Sequence, residues 1–224
     1  MQAAVVAREL ASPGAGDLTG IYAGIAAYYS AKIARFGATP NGVDWTCQAT
    51  QEMRFVQLLK LCDFASPFSL NDLGCGYGAL IAYLGRRHDG CAVDYLGIDV
   101  SEPMVRRALR LWRNRGDTAF AIGHASPRTA DYAVASGIFN VAQDQPQHDW
   151  EQFIAASLDD LHRTTRRGFA VNFMKRPEGA PARRGLYTTD TVSWARYCAS
   201  RFDATAEVRD GYGLMEFTLV VRKI

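Results

Sequence analysis

The stretch LNDLGCGYGAL, residues 70–80, constrains the fold more than any other part of the chain. Three glycines stand at alternate positions, Gly74, Gly76 and Gly78, between the apolar run FSLNDL, which reads as a strand, and ALIAYLGRR, which reads as a helix. A strand that turns into a helix through closely spaced glycines offers bare main chain to a ligand, because each missing Cβ removes a steric block. Spacing alone leaves the guest open. Gly74, Gly76 and Ala79 satisfy the dinucleotide pattern GxGxx(G/A), with Asp99 about 20 residues on, where an acid would hold ribose hydroxyls. Gly78 makes the same stretch GxGxG.

The rest of the chain repeats the alternation of strand and helix that marks a parallel α/β sheet. AVDYLGID, TAFAIG, DYAVASGIF and GFAVNFM read as further strands, and the nearly unbroken apolar character of DYAVASGIF suits a strand buried on both faces. SEPMVRRALRLWRNRG reads as a helix with Ser101 as N-cap and Gly116 at its end. Trp150, Phe153, Ile154, Leu158 and Leu161 share one stripe of another helix, and a short one surrounds Trp194. The final runs, ATAEVRD and LMEFTLVVRK, are joined by GYG with no helix between them, so they are antiparallel neighbours. Ahead of the sheet, LTGIYAGIAAYYSAKIARFG is helical to Gly37, and Met53, Val56 and Leu59 mark a second helix. At 224 residues the chain fits one domain. It divides into a flexible leader over 1–17, a helical cap or lid over 18–66 and a core over 67–224, with KRPEGAPARRGLYTT as a mobile surface loop.

Asp72 separates the two readings of the glycine loop. A carboxylate two residues before the first glycine repels a pyrophosphate in a partly desolvated cleft and attracts a cation. DLGCGYG, an acid and a filler followed by GxGxG, resembles the first motif of the class I S-adenosylmethionine-dependent methyltransferases, and the likeness runs from about Phe68 to Ile224. The resemblance implies a Rossmann-like α/β fold with a seven-stranded, mostly parallel sheet whose last strand is antiparallel, and S-adenosyl-L-methionine as cofactor. It also implies that Asp72 and the loop of Gly74, Cys75, Gly76 and Gly78 seat the methionine moiety, while Asp99, with Val100 beside it, holds the ribose. GHA at 123–125 places His124 and Ala125 at the adenine, where the family often carries an acid, so His124 is a departure. ASGIFN at 135–140, Ser136 included, occupies the fourth motif, at the boundary of cofactor and substrate. The run YYSAKIARFGATPNGVDW is similar to a group of bacterial small-molecule methyltransferases.

Methyltransferases acting on base amines resemble one another in an Asn/Asp-Pro-Pro-aromatic fourth motif, and GIFN has no proline. With 25 basic residues nearly matched by 23 acidic ones, no strongly basic face is implied either. Both observations point away from nucleic acid and towards a small-molecule substrate. Five cysteines, at 47, 62, 75, 91 and 198, form no CxxC pair, so no metal site is expected and a reducing cytoplasm is the simplest home. No apolar run reaches the roughly 18 residues of a membrane span, and a monomer or homodimer is expected.

Among polar candidates, Asn140 follows a buried strand at the end where such sheets bind ligands, and is the expected substrate contact. Tyr187, past the Pro- and Arg-rich loop, is placed to reach the substrate mouth. His124 and His148 are candidate bases. Tyr29 and Lys32, with Tyr28, either close over the cofactor or pack as a helix stripe; Asp44 and Trp45 form a lid or a structural corner. Cys75 reads as a small hydrophobe and Asn172 as a satisfied buried amide. The expected chemistry is in-line methyl transfer, in which the protein contributes orientation and desolvation. The alternatives are aminopropyl transfer or internal ring closure of the same cofactor, a nucleotide-dependent oxidoreductase, and a non-catalytic cofactor binder.

Overall fold

The computed structural model describes residues 17–176 and 183–224. The expected leader, Asp17 excepted, and the centre of the loop over 175–189 lie outside the described residues. The strands are β1 (Phe68–Leu73), β2 (Val93–Asp99), β3 (Thr118–Ile122), β4 (Ala130–Ala135), β5 (Thr165–Met174), β6 (Ala204–Arg209) and β7 (Glu216–Lys223). They form one seven-stranded sheet in the order β3-β2-β1-β4-β5-β7-β6. β7 lies antiparallel to β5 and β6, and the other pairings are parallel, as expected.

The helices are α1 (Thr19–Phe36), α2 (Gln48–Leu59), α3 (Ala79–Arg87), α4 (Glu102–Leu111), α5 (Gln147–Arg163) and α6 (Ser193–Arg201), with a short 3-10 turn at Pro40–Val43. Side-chain alternation along the strands divides the interior into two layers. Leu73, Ile98, Ala133, Phe169 and Leu219 face α5 and α6 through Trp150, Phe153, Ile154, Leu158 and Trp194. Leu70, Tyr95, Val134, Ala170 and Val220 face the other way, onto Phe55, Leu58 and Leu59 of α2, Leu80 and Ile81 of α3, and Val105 of α4. The segment expected as a cap over 18–66 therefore has two physical roles. α2 is a covering helix of the sheet, whereas α1 packs on the 3-10 turn and on α4.

Three local differences from the sequence reading have identifiable causes. The fourth strand ends at Ala135 and does not run on to Phe139, because Gly137 takes φ 75° and the chain turns there, Asn140 N donating to Gly137 O at 3.3 Å. The fifth strand begins at Thr165, three residues earlier than its apolar run, and Gly168 (φ 143°) lies beside a register shift between Ala130 and Tyr132. The described ends of the loop expected to be mobile are tied down: Lys175 pairs with Thr189, Gln143 with Gly185, and Thr188 and Thr189 are buried. Among the described residues, no helix is long and apolar enough to cross a membrane.

From β1 the chain crosses to β2 on one side, and from β4 to β5 on the other, although β1 and β4 are neighbours. Connections that diverge from adjacent parallel strands leave a crevice at their carboxyl ends. Gly74 and Ser136 stand at its two lips. The fit of β7 against β5 depends on Gly168, where a Cβ would come within 2.1 Å of Val221 O. Gly168→Ala is expected to lower stability by about 2 kcal/mol or more through overpacking and strain, read as a lower urea midpoint at unchanged slope.

Candidate active site

Past Leu73, main-chain hydrogen bonds turn the chain: Gly74 N and Cys75 N both donate to Ile98 O, at 2.7 and 3.0 Å. Gly74, Gly76 and Gly78 have φ of 74°, 57° and 79°, values that side chains rarely tolerate. The space opposite each is already filled. A Cβ on Gly74 would meet Ile138 at 2.2 Å, one on Gly76 would meet Val43 at 2.7 Å, and one on Gly78 would meet Trp112 at 2.6 Å. The glycines thus admit other side chains of the same protein, not only a ligand.

Asp99, at the end of β2, receives Gly76 N on one oxygen and Ser101 N on the other, both at 2.8 Å. Burial pushes its carboxyl up to about 6, and the two N–H donors oppose that rise. Asp72, at the end of β1, accepts the Tyr95 hydroxyl at 2.6 Å. Burial carries it up to about 7; the Tyr95 hydrogen bond pulls it down and the Asp99 charge pushes it further up. Burial also raises the Tyr29 hydroxyl and the Cys75 thiol, so Cys75 is inert at neutral pH, as a packing residue should be.

The two acids lie in a cleft enclosing about 910 Å³, its open mouth included. Its floor is Asp72, Gly74, Cys75, Gly76, Asp99, Val100 and Ser136. Its roof comes from ahead of the sheet: Tyr22, Ile25 and Tyr29 of α1, Val43 and Trp45 around the 3-10 turn, and Gln51 and Phe55 of α2. At one end Tyr22 stacks on His124, ring centres 4.1 Å apart. At the other, Trp45 covers Gly137, where a Cβ would lie 2.3 Å from the indole.

Asp72, Gly74, Cys75, Gly76, Asp99, Val100, His124, Ser136 and Tyr29, all expected at a site, do line this cleft. The other expected residues are placed elsewhere. Gly78 backs onto Trp112, and Ala125 lies beyond the lining. Lys32 binds Asp44 at 2.5 Å, and Tyr28 donates to the same carboxylate, so these residues brace the roof from outside the cleft. Asn140 is turned inward by the bend at Gly137 and buried, with neither amide atom partnered among the described residues. Tyr187 is in the core, its hydroxyl taken by Trp194 Nε1 and Glu151. His148 is exposed and paired with Gln152. Asn172 is satisfied at both ends, by Gly137 N and Glu216.

Sequence reasoning missed Arg54 and Glu216, a buried ion pair whose members are 162 positions apart. It also missed Tyr22, Gln51 and Phe55; only a full helical register for the leading segment would have turned them towards the sheet.

Two buried carboxyls face the cleft; among the described residues no lysine or arginine lines it, and Ser136 Oγ is buried without a partner. That donor set fits a ligand with a cationic end and hydrogen-bonding groups, and disfavours a pyrophosphate.

Comparisons with known proteins agree. Residues 71–168 match the family described as Methyltransferase domain. A Mycobacterium tuberculosis protein named as a methyltransferase, Rv1506c, is 42% identical over 166 residues, covering 74% of this chain and 99% of the relative. Among solved structures, magnesium protoporphyrin IX methyltransferase from Synechocystis PCC 6803, with bound SAH, aligns at TM-score 0.59 and 13% identity over 93% of this chain and 100% of that one. The 1,6-didemethyltoxoflavin-N1-methyltransferase of Burkholderia thailandensis aligns at TM-score 0.59 and 18% identity over 97% of this chain and 93% of that one. At those identities the structures establish likeness of fold.

The raised acids give the ligand-free protein a defined pH response. The native state keeps protons on Asp72 and Asp99 up to about 7 and about 6, whereas the unfolded chain loses them near 3.8, so their contribution to stability falls as pH rises through that window. Asp72→Asn removes one buried titration. Its stability relative to the unmodified protein is expected to improve from about pH 4 to about pH 7 and to level off above that, measured by denaturant unfolding without cofactor; a constant difference would show that Asp72 does not titrate there.

Proposed function

We propose methyl transfer to a small organic molecule for this chain, which belongs to the class I S-adenosylmethionine-dependent methyltransferases. The observation that carries the small-molecule reading is the roof: α1, the 3-10 turn and α2 of the same chain close over the cleft, so an acceptor has to enter a covered, concave site beside the two acids. The toxoflavin-precursor methyltransferase, which shares the fold, is named for a small acceptor, and that supports the same reading. Bound in the cleft, S-adenosyl-L-methionine supplies a methyl group made electrophilic by a sulfonium.

The chain's own residues have separable tasks in this reading. Asp72, ionised, faces the cationic methionine end, and the glycine loop presents main chain beside it. Asp99 already holds Gly76 N and Ser101 N, and the remaining lone pairs of its oxygens accept ribose hydroxyls. Tyr22, His124 and Phe153 enclose the far end and exclude water from the adenine. The polypeptide orients and desolvates the reactants, which displacement at a methyl group chiefly requires. Asn140 and Tyr187 do not line the cleft, so neither takes a proton from the acceptor in this reading.

Calorimetry with S-adenosylhomocysteine tests the assignments. Protonation of Asp72 and Asp99 competes with binding of the ammonium end, so affinity is expected to fall by about tenfold or more from about pH 7.5 to 5.5. Asp99→Ala leaves two buried N–H groups unpaired and removes the ribose partner, and should weaken binding by at least about tenfold. Undiminished affinity in that variant would remove the ribose assignment. Turnover that releases methylthioadenosine in place of S-adenosylhomocysteine would replace methyl transfer by another reaction of the same cofactor.

A further inference from the structure

At the acceptor end of the cleft, five residues form a closed circuit. Trp45 lines the cleft with one indole face covered by the Arg54 guanidinium, 3.7 Å from the ring centre. Each nitrogen of the Arg54 guanidinium is engaged: Nε and NH2 donate to the two oxygens of Glu216 at 2.8 and 2.5 Å, and NH1 donates to Thr50 O at 2.6 Å. Glu216 also accepts Asn172 Nδ2 at 2.6 Å, and Asn172 Oδ1 accepts Gly137 N at 2.8 Å. The circuit closes where the Trp45 ring edge rests on Gly137.

Arg54, Glu216 and Asn172 are all buried. A buried ion pair contributes little net stability, because desolvation offsets its attraction, but it strongly penalises any displacement that parts the charges. This one holds an indole and a peptide group at fixed separation on the cleft wall. Since Arg54 is neutralised by Glu216 and screened behind Trp45, no lysine or arginine among the described residues lines the cleft. A fixed anionic group on an acceptor would therefore be desolvated there without a cationic side chain to pair with it. The rest of the lining is mostly uncharged, with the aromatic rings of Tyr29 and Phe55, the aliphatic Val43 and Ile138, and Ser136 Oγ beside Gly137, which has no partner among the described residues.

Building on the reading of this cleft as the site of methyl transfer, we propose that Trp45 is the acceptor-recognising surface, held by Arg54, Glu216 and Asn172 as positioning residues, and that it takes a flat ring system carrying no fixed negative charge.

Protein labelled with 5-fluorotryptophan and saturated with S-adenosylhomocysteine provides the test. The chain has four tryptophans, and Trp45→Phe assigns the Trp45 fluorine resonance. Titration with 2-naphthol is expected to shift that resonance, and 6-hydroxy-2-naphthalenesulfonate, the same ring with a fixed anion, to bind about tenfold more weakly or worse. Trp45→Phe, which keeps a flat ring, should retain naphthol binding followed by equilibrium dialysis, and Trp45→Leu should lose it. Glu216→Gln should move or broaden the Trp45 signal before any probe is added, as should Arg54→Lys, which keeps the charge without the planar fork. Absence of a naphthol-dependent shift at Trp45, equal affinity for the two probes, or unweakened binding by Trp45→Leu overturns the acceptor assignment. An unmoved Trp45 signal in folded Glu216→Gln overturns the positioning role. The accompanying S-adenosylhomocysteine titration reports on the cofactor site separately, so failure of that reading is distinguishable.

Discussion

The carboxylate of Asp99 ties together the elements that frame the cleft. One oxygen holds Gly76 N and the other Ser101 N, so the loop after β1 and the start of α4 are fixed to the end of β2 by one acid. Ser101 passes the constraint on: its hydroxyl caps α4 through Met104 N at 3.4 Å and meets Ser30 Oγ of α1 at 2.9 Å. Floor and roof of the cleft are therefore referenced to the same group. Charge-assisted hydrogen bonds to main-chain N–H are among the stronger polar interactions available, and a buried acid that makes two of them is costly to move.

The glycines extend that argument from the floor to the roof. Read as sequence, GxGxG suggests main chain bared for a guest; in the fold, Ile138, Val43 and Trp112 occupy the space where the three Cβ atoms would be. Val43 belongs to the 3-10 turn that covers the cleft, so the roof comes down as far as it does only because Gly76 has no side chain. Gly137 plays the same part for Trp45. Asp44 lies between these two roof residues at φ 66°, a conformation aspartate tolerates better than most, and Tyr28 and Lys32 of α1 hold its carboxylate there. Ligand cradle and lid seat are thus one device, and neither is complete without the other.

What could be read from the sequence follows from how local each signal is. Strands and helices were legible because alternation and helical period are set within a few residues, and the antiparallel β7 followed from a three-residue connection. The floor of the cleft was legible too, since Asp72, the glycines and Asp99 are fixed by the ends of adjacent strands. The turn at Gly137 was not, because apolar residues continue through it, and that one error carried Asn140 from the expected ligand edge into the interior. Tyr187 fails differently: its position in the loop suggested reach, but its hydroxyl is used by Trp194 and Glu151 to fasten α6 to α5. Arg54 and Glu216 carry charges that usually mean surface, and only the meeting of α2 with β7 shows that each is the other's reason for being buried.

Burial of Asp72 and Asp99 looks wasteful in the ligand-free protein, since it raises both carboxyls towards neutrality and leaves them half-willing to ionise. The cost is also the source of discrimination. In a solvated pocket two carboxylates would be screened and would barely distinguish a cation from an anion; in a roofed cleft the same charges act at low dielectric, so a positively charged guest relieves them and a pyrophosphate compounds them. The roof that Asp99 helps to hang is what removes the water. In the proposed reading, selectivity for the cofactor's charge and closure over the acceptor arise from one structural act, the seating of the 3-10 turn and Trp45 on glycines at the carboxyl edge of the sheet.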